Sequence, residues 1–288
     1  MLGALVPLDV RPAPSPVPLV DDLDEVALYV PPYMGGVEDL ALMARMPNLR
    51  VVQLLTAGFE NALAHLPSGV TLCNAAGVHD ASTAELAVGL TIASLRGLDD
   101  FARAMPLGAW VFGRRESLAD KRVIVIGAGG VGQAIRSRLE PFEADVTMIA
   151  TTARPGVHAF SELPELLPRA DVVILAVPLT GATTGMVDAP FLALMADGAL
   201  LVNVARGPVV VTEALVEQVG AGRLRAALDV TDPEPLPPDH SLWTLPGVLI
   251  SPHVGGNTSA FLPRARLLVA EQLQRFAAGD ALRFVVSP

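Results

Sequence analysis

The sequence predicts an α/β protein built around a doubly wound parallel sheet. Six short apolar segments rich in β-branched residues alternate with helical patterns in the second half of the chain. Such alternation is expected where crossover helices join parallel strands. The first of these segments runs directly into a glycine-rich turn and a helix over residues 121–139. That order of strand, turn and helix is typical of a unit that binds a dinucleotide.

The glycine-rich turn has the spacing G-x-G-x-x-G, in which the glycines are Gly127, Gly129 and Gly132. One glycine makes the turn, one lets the backbone approach a pyrophosphate, and one packs the helix against the strand. The helix then presents free N–H groups and a partial positive charge to the phosphates. A purely steric glycine turn is the alternative, but a buried strand before it and a helix after it favour dinucleotide binding.

Composition excludes several classes of protein. The 288 residues suffice for two domains, and the net charge of −10 argues against nucleic acid or anionic membrane as a partner. The longest apolar helical run, Leu86–Leu95, is shorter than the roughly 18 residues of a membrane span. We see no signal peptide. Cys73 is the single cysteine, so it forms no intrachain disulfide, and we interpret it as a buried apolar residue. We therefore expect a soluble cytoplasmic protein.

The first half of the chain contains shorter elements. We expect a short strand within residues 1–10 and extended chain at Arg11–Pro18, where alternate prolines exclude a helix. Further strands are predicted at Val26–Val30, Leu49–Leu55 and Val70–Asn74, with a helix at Glu38–Ala44. A helix capped by Ser82 or Thr83 follows, and because its apolar residues run nearly all round it, we expect it to be buried.

The second half repeats strand and helix. The irregular stretch Met105–Asp120 is interpreted as a crossing between domains. The predicted strands are Val123–Ile126, Val146–Ala150, Val172–Val177, Leu200–Val204, Ala226–Val230 and Val248–Ile250. The clearest helices are Ala134–Leu139, Ala189–Met195 and Thr212–Val219. A last helix, Ala260–Ala278, is free to fold back on the N-terminal half.

Three reactive side chains follow the last three strands. Arg206, Glu234 and His253 each lie just beyond a strand's carboxyl end, which is the edge where open parallel sheets bind ligands. Arginine matches a carboxylate and polarises a carbonyl, histidine transfers a proton, and a glutamate orients the histidine ring. The alternatives are a histidine satisfied at a Pro-His turn, a loop arginine and a solvated glutamate.

Seven stretches together resemble the D-isomer-specific 2-hydroxyacid dehydrogenase family, nearest its phosphoglycerate dehydrogenase and glyoxylate/hydroxypyruvate reductase branch. They occur in the family's order and cover nearly everything from Leu49 to Ala278. The stretches are QLLTAGFENAL (53–63), NAAGVHDASTAELAVG (74–89), VIVIGAGGVGQAI (123–135), LAVPLTGATTGMV (175–187), NVARG (203–207), ALDVTDPEPLP (227–237) and SPHVGGNT (251–258).

The resemblance implies a Rossmann-type sheet inserted in a smaller flavodoxin-like domain. It places the substrate domain at residues 1–95 and 258–288 and the dinucleotide-binding domain at 96–257. Arg206 matches the substrate-binding arginine, His253 the acid/base, Glu234 its partner, and the amides near Ala57 and Gly58 the second carboxylate anchor. The implied cofactor contacts are Gly127, Gly129, Gly130, Val131, Gly132, Thr151, Thr152, Arg154, Val177, Pro178, Thr184, Val204, Asp229 (at the nicotinamide end), His253 and Gly255.

The residues after the second strand bear on the choice of cofactor. An NAD-specific unit places an acid there, about 20 residues after the glycines, to hold the ribose hydroxyls. This chain has Thr151, Thr152 and Arg154 instead, and Asp145 lies at the strand's opposite end. Hydroxyls and an arginine suit a 2′-phosphate. We therefore predict NADP(H), with NAD as the alternative.

The substrate is predicted less closely than the reaction. A small 2-keto acid such as glyoxylate or hydroxypyruvate is expected, because no Lys/Arg cluster in the N-terminal half suggests a phosphorylated substrate. Tyr33 and Met34 either line the pocket or pack. The alternatives are a dehydrogenase for phosphoglycerate or another 2-hydroxy acid, and a cofactor-sensing, corepressor-like binding protein. No metal site is predicted, and His65, His79, His158 and His240 are interpreted as structural. A homodimer through the nucleotide-binding domains is expected.

Overall fold

The computed structural model describes residues 23–286, so the predictions for residues 1–18 lie outside the described part of the chain. The strands are β1 (Leu28–Tyr29), β2 (Val51–Gln53), β3 (Thr71–Cys73), β4 (Arg122–Ile126), β5 (Asp145–Ala150), β6 (His158–Ala159), β7 (Val172–Leu175), β8 (Leu200–Asn203), β9 (Arg225–Leu228) and β10 (Val248–Ile250). The helices are α1 (Val37–Ala41), α2 (Glu60–Leu63), α3 (Asp80–Arg96), α4 (Leu98–Ala104), α5 (Gly130–Leu139), α6 (Leu163–Leu166), α7 (Ala189–Leu194), α8 (Thr212–Gly220) and α9 (Phe261–Ala278). Within residues 23–286, none of these helices has the length and apolarity that a membrane span requires.

The chain divides into two compact units. The smaller unit comprises the described residues up to His79 together with those from Ser259 onward, and the larger unit is Asp80–Thr258. This division differs from the predicted one at its first boundary, because α3 belongs to the larger unit. The predicted boundary followed the end of that apolar helix, whereas α3 packs on α5 and on the strands β8 and β9.

The larger unit contains a seven-stranded sheet, in which all strands are parallel and lie in the order β10-β9-β8-β7-β4-β5-β6. Along β4, Val123 and Val125 belong to one buried cluster and Ile124 and Ile126 to another. Because successive side chains of a strand point to opposite faces, both faces of this sheet are covered. The prediction of a doubly wound parallel sheet is therefore confirmed.

Three details of the predicted elements were wrong. The sheet has a seventh strand, β6, which pairs with Ile149 and Ala150 and is too short to give a period-two pattern. The helix expected to be capped by Ser82 or Thr83 begins at Asp80, and Ser82 lies buried inside its first turns. Its exposed residues, among them Glu85 and Gly89, also show that α3 is buried on one face and not all round.

The direction of the chain changes between β4 and β7. The strands β4, β5 and β6 proceed outward on one side, after which the chain returns to place β7 on the other side of β4. Such a reversal opens a crevice at the carboxyl ends of the two strands, where doubly wound sheets bind ligands. The glycine turn follows β4, and Val177 and Pro178 follow β7, so these segments flank the crevice.

The smaller unit has a three-stranded parallel sheet in the order β1-β2-β3. The helix predicted over Glu38–Ala44 is α1 followed by a 3-10 turn, Leu42–Arg45. As expected, α9 returns to this unit, where Gln272 Nε2 donates to Gln53 Oε1 over 2.7 Å, and both side chains are fully buried. Cys73 is also fully buried, and its burial raises the pKa of its thiol, which agrees with a packing role.

Candidate active site

The glycine turn after β4 is so tight that two of its glycines leave no room for a side chain. Gly127 has φ +116°, a conformation that favours glycine, and a Cβ there would lie 2.2 Å from the carbonyl oxygen of Ala176. A Cβ on Gly132 would lie 1.7 Å from the carbonyl oxygen of Gly127. On Gly129, by contrast, a Cβ would have no neighbour within 4 Å. Gly127 and Gly132 are therefore required by packing, and Gly129 leaves an open approach to the backbone, which fits a pyrophosphate.

This difference predicts opposite effects of two alanine substitutions. We expect Gly132→Ala to destabilise the protein, because its methyl group would overlap the carbonyl of Gly127. We expect Gly129→Ala to keep its melting temperature within about 2 °C and yet to weaken dinucleotide binding about tenfold or more, because only the ligand would meet the methyl group. Thermal unfolding and dinucleotide titration of both variants measure this, and unchanged binding by Gly129→Ala would contradict it.

The sequence analysis did not single out Asp80, which lies against the start of α5. A Cβ on Gly130 would lie 2.0 Å from Asp80 Oδ2, so the carboxylate touches the first residue of the helix. Val131 follows in the same turn and is half-buried. Asp80 gave no sequence signal, because the helix was predicted to begin two residues later and this aspartate was assigned to the loop before it.

The side chains predicted to select the cofactor follow β5, at the same edge of the sheet as the glycine turn. Thr151 and Thr152 are exposed, and Arg154 Nη2 donates to the carbonyl of Ala128 in the glycine turn over 3.1 Å. Arg154 therefore lies over the turn that precedes α5. Asp145 pairs with Arg122 at the amino end of the sheet, as predicted, and is remote from this site.

The loop after β7 is held by its threonines. Thr183 Oγ1 donates to the carbonyl of Pro178 over 2.6 Å, and Thr184 Oγ1 donates to the carbonyl of Thr180 over 2.8 Å. Val177 is buried, whereas Pro178 and Thr184 are exposed. Thr183, which gave no sequence signal, fixes the loop, and Thr184 is exposed at its surface.

Arg206 is presented by a loop that a buried asparagine organises. Asn203, at the end of β8, accepts from the N–H of Ala205 over 3.0 Å and donates to the carbonyl of Arg206 over 3.0 Å. Val204 between them is buried. Arg206 is half-buried, and its Nη1 donates to the carbonyl of Ala205 over 2.7 Å. Its other guanidinium N–H groups have no acceptor within residues 23–286, so they are available to an anion.

Asp229 binds the loop that carries the histidine. It is 3% exposed, its Oδ1 accepts from Ser251 Oγ over 2.7 Å and from the N–H of Val254 over 2.9 Å, and its Oδ2 accepts from the N–H of Gly255 over 2.9 Å. The backbone N–H of His253 donates to the carbonyl of Asp229 over 2.8 Å. These contacts hold His253 at φ +51°, a conformation uncommon outside glycine. A contact of Asp229 with the cofactor stays a prediction.

His253 and Glu234 meet directly. The distance from His253 Nδ1 to Glu234 Oε1 is 2.5 Å, and the two side chains are 32% and 39% exposed. Because the carboxylate accepts, Nδ1 carries the hydrogen, and Nε2 has no partner within the described residues. The arrangement fixes the ring and leaves Nε2 to exchange a proton with a ligand.

The three predicted groups therefore lie on one edge of the sheet. Arg206, Glu234 and His253 follow the neighbouring strands β8, β9 and β10. A Cβ on Gly207 would lie 1.9 Å from the carbonyl oxygen of Thr231, which shows how closely the first two loops approach. This edge also carries the glycine turn. Groups suited to a dinucleotide, to a carboxylate and to proton transfer therefore lie on the same edge of the sheet.

The remaining predicted positions belong to other segments of the chain. Ala57 and Gly58 are half-buried residues of the smaller unit, in the turn that follows β2. His158 pairs with Glu162 and His240 caps a 3-10 turn, whereas His79 is buried among aromatic rings. Within residues 23–286, no group of His, Cys, Asp or Glu side chains is arranged to hold a metal ion.

Comparison with known proteins identifies the family. The NAD binding domain of the D-isomer specific 2-hydroxyacid dehydrogenases matches residues 88–255. The glyoxylate reductase/hydroxypyruvate reductase of Mus musculus is 32% identical over 261 residues, which cover 85% of this chain and 79% of the mouse protein.

Solved structures agree. A D-isomer specific 2-hydroxyacid dehydrogenase from Xanthobacter autotrophicus Py2, crystallised with NADPH and MES, has a TM-score of 0.81 and 31% identity and covers 98% of this chain and 91% of its own. The NADPH-dependent glyoxylate/hydroxypyruvate reductase from Sinorhizobium meliloti, crystallised with NADP and sulfate, has a TM-score of 0.81 and 26% identity and covers 93% and 86%. The chain therefore belongs to the D-isomer specific 2-hydroxyacid dehydrogenase family.

Proposed function

We propose that the protein is an NADP(H)-dependent reductase of small 2-keto acids such as glyoxylate or hydroxypyruvate. The observation that carries this proposal is the His253–Glu234 pair at 2.5 Å, on the sheet edge that also bears the glycine turn and Arg206. A nicotinamide cofactor supplies the hydride when it is bound. The open backbone at Gly129 and the start of α5 fit its pyrophosphate.

Each side chain has one task in this proposal. The free guanidinium N–H groups of Arg206 bind the substrate's carboxylate and polarise the keto oxygen. Nε2–H of His253 donates a proton to that oxygen as hydride reaches the carbonyl carbon, and the same nitrogen accepts the proton in the reverse direction. Glu234 accepts the hydrogen of Nδ1 and so holds the ring with Nε2 toward the substrate. The product is a 2-hydroxy acid.

The choice of NADP(H) depends on Arg154, Thr151 and Thr152. No acidic side chain replaces them at the end of β5, and Arg154 lies over the glycine turn, where a 2′-phosphate would add a charge-assisted partner. Two relatives of the chain were crystallised with NADPH or NADP, which supports the proposal.

Replacing Arg154 tests this choice. We expect Arg154→Ala to lower kcat/KM for NADPH about 10- to 100-fold and to leave that for NADH within about threefold, because a hydrogen bond between charged groups contributes about 1.5–3 kcal/mol. Arg122→Ala, at the opposite end of the sheet, is the control. A wild-type preference for NADH would refute the proposal.

Initial rates against a panel of 2-keto acids with both coenzymes test the reaction itself. We expect turnover of glyoxylate or hydroxypyruvate. Turnover of a phosphorylated or branched acid alone would favour another dehydrogenase of the family. Tight dinucleotide binding without turnover of any acid would favour the cofactor-sensing binding protein.

The assembly and location belong to the same proposal. We propose a cytoplasmic homodimer, joined through the larger unit. In that unit Trp110 is 93% exposed, Phe112 92%, Leu107 80% and Met105 78%, and several large apolar side chains exposed within eight residues favour an association surface. A buried single cysteine, which needs no oxidising compartment, supports the cytoplasm.

A further inference from the structure

In the turn after β2, each of the five successive carbonyl oxygens from Leu54 to Gly58 accepts a hydrogen bond from a donor in the smaller unit. The donors, in order, are Gln53 Nε2 (2.7 Å), His79 Nε2 (2.7 Å), the N–H of Ala75 (2.8 Å), Asn74 Nδ2 (2.7 Å) and Thr56 Oγ1 (2.7 Å). Such a run of inward-facing carbonyls is unusual for a loop, because loop carbonyls commonly bind water.

The backbone N–H groups of the same turn have the opposite property. Within residues 23–286, those of Thr56, Ala57, Gly58 and Phe59 have no acceptor, although these residues are only half-exposed. Half-buried backbone donors are normally paired. Successive free N–H groups form a concave site of partial positive charge, which suits an anion. The free donors include Ala57 and Gly58, the predicted second anchor for a carboxylate.

His79 is one of the two side chains that impose this arrangement. Its ring is 7% exposed and packs against Tyr33, at 5.6 Å between ring centroids, and Phe261, at 5.2 Å, which also contact each other at 4.1 Å. The carbonyl of Leu55 can only accept, so Nε2 carries the hydrogen. Its hydrogen bond therefore ends on the peptide unit that opens the turn.

Asn74 is the second. It is 8% exposed, and its Oδ1 accepts from the N–H of Ala76 over 3.2 Å, which turns its Nδ2 toward the carbonyl of Ala57. That peptide unit joins Ala57 to Gly58, so holding its carbonyl inward directs the N–H of Gly58 outward. By the same geometry, His79 directs the N–H of Thr56.

We propose that His79 and Asn74 are positioning residues, which hold the peptide units of residues 55–58 so that their N–H groups bind the substrate's carboxylate. The inference rests on the proposed function, since it names what orients one of its binding elements. Neither side chain touches the substrate. Their loss lets the peptide units rotate, and the turn then loses its selectivity for an anion while the reacting groups in the larger unit are unchanged.

The test compares an acid with its neutral counterpart. kcat/KM is measured for glyoxylate and for methyl glyoxylate with NADPH, together with the NADPH dissociation constant. We expect His79→Phe, which keeps an aromatic ring in the stack, and Asn74→Leu to lower kcat/KM for the acid about 10- to 100-fold. The value for the ester and the NADPH dissociation constant should stay within about threefold. His79→Gln, which restores a donor, should recover most of the acid-to-ester ratio.

Thr56→Val provides a variant that folds even where the buried substitutions do not, because it removes only the hydroxyl that holds the carbonyl of Gly58. Its control is Thr244→Val, which removes a hydroxyl-to-carbonyl bond of 3.2 Å in the larger unit. An acid-to-ester ratio that stays at the wild-type value in Thr56→Val and in the folded His79 variants overturns the inference.

The binding of oxamate, measured by calorimetry, distinguishes a failure of the proposed function from a failure of the positioning role. Wild type that reduces no 2-keto acid refutes the proposed function. Oxamate binding that is lost in His79→Phe and kept in His79→Gln still supports the positioning role in that case. Oxamate binding that is equal in wild type and His79→Phe refutes it.

Discussion

His253→Asn is expected to lower kcat by about 10²- to 10⁴-fold, which is the usual contribution of a positioned general acid or base. Asparagine keeps a polar side chain on the loop that Asp229 holds, but it supplies no group that titrates near neutral pH. The loop's hydrogen bonds come from the backbone and from Ser251, so the fold should be unaffected. Steady-state rates with a 2-keto acid, with NADPH affinity measured alongside, give the result.

The chain offers a matched control for this substitution. His158 Nδ1 contacts Glu162 Oε2 over 2.7 Å, which is the same kind of pair on the exposed edge strand β6. We expect His158→Asn to change kcat by less than a factor of two, because it lies outside the loops that carry Arg206, Glu234 and His253. Glu234→Gln should lie between the two, because it keeps a hydrogen-bond acceptor for Nδ1 but replaces the charged carboxylate with a weaker neutral one. Unchanged turnover in His253→Asn would refute the assignment of the acid/base.

Much of the larger unit could be predicted because its strands are buried on both faces. Segments such as Val123–Ile126 and Leu200–Val204 are continuous apolar runs, and only buried parallel strands need that pattern. Two of the strands were predicted to extend too far: β7 ends at Leu175 and not at Val177, and β8 ends at Asn203 and not at Val204. The apolar residues beyond those points are buried by loops, which the pattern does not separate from strands.

The site could be predicted as far as its strand ends. Arg206, Glu234 and His253 were found because each follows a strand, and the rule for ligand sites in open sheets then brings them to one edge. The residues that hold these groups gave no such signal. Asn203 and Asp229 act through backbone atoms that are distant in sequence or that depend on loop conformation, and neither feature has a sequence period.

The smaller unit was less predictable because its elements are short. β1 has two residues and β2 and β3 have three, so hydrogen bonds outside the strands determine its structure. His79 illustrates the difficulty. Nothing in its sequence neighbourhood indicates that it would pack against two aromatic rings from distant segments and donate a hydrogen bond to a carbonyl 24 residues earlier.

Arg206→Ala is expected to lower kcat/KM for the 2-keto acid by about 10²- to 10³-fold, and KM for the acid should rise as kcat falls. Truncating one partner of a hydrogen-bonded charge pair costs about 2–5 kcal/mol, and each 1.4 kcal/mol is a factor of ten. Arg206 is half-buried and uses only one N–H on its own loop, so the remaining donors would all be lost from the substrate. Asn203 still orders the backbone of the loop, so the protein should fold.

Two further variants separate charge from geometry at this position. Arg206→Lys keeps the positive charge and loses the planar fork, so it should recover part of the affinity for the acid and little of kcat. Free guanidinium ion added to Arg206→Ala should restore activity, because the ion supplies the same donors in the vacated space. Arg225→Lys, at the amino end of the sheet, is the control and should behave as wild type. Full activity of Arg206→Ala would mean that another cation binds the carboxylate, and the reaction proposed for this edge would then lack its substrate anchor.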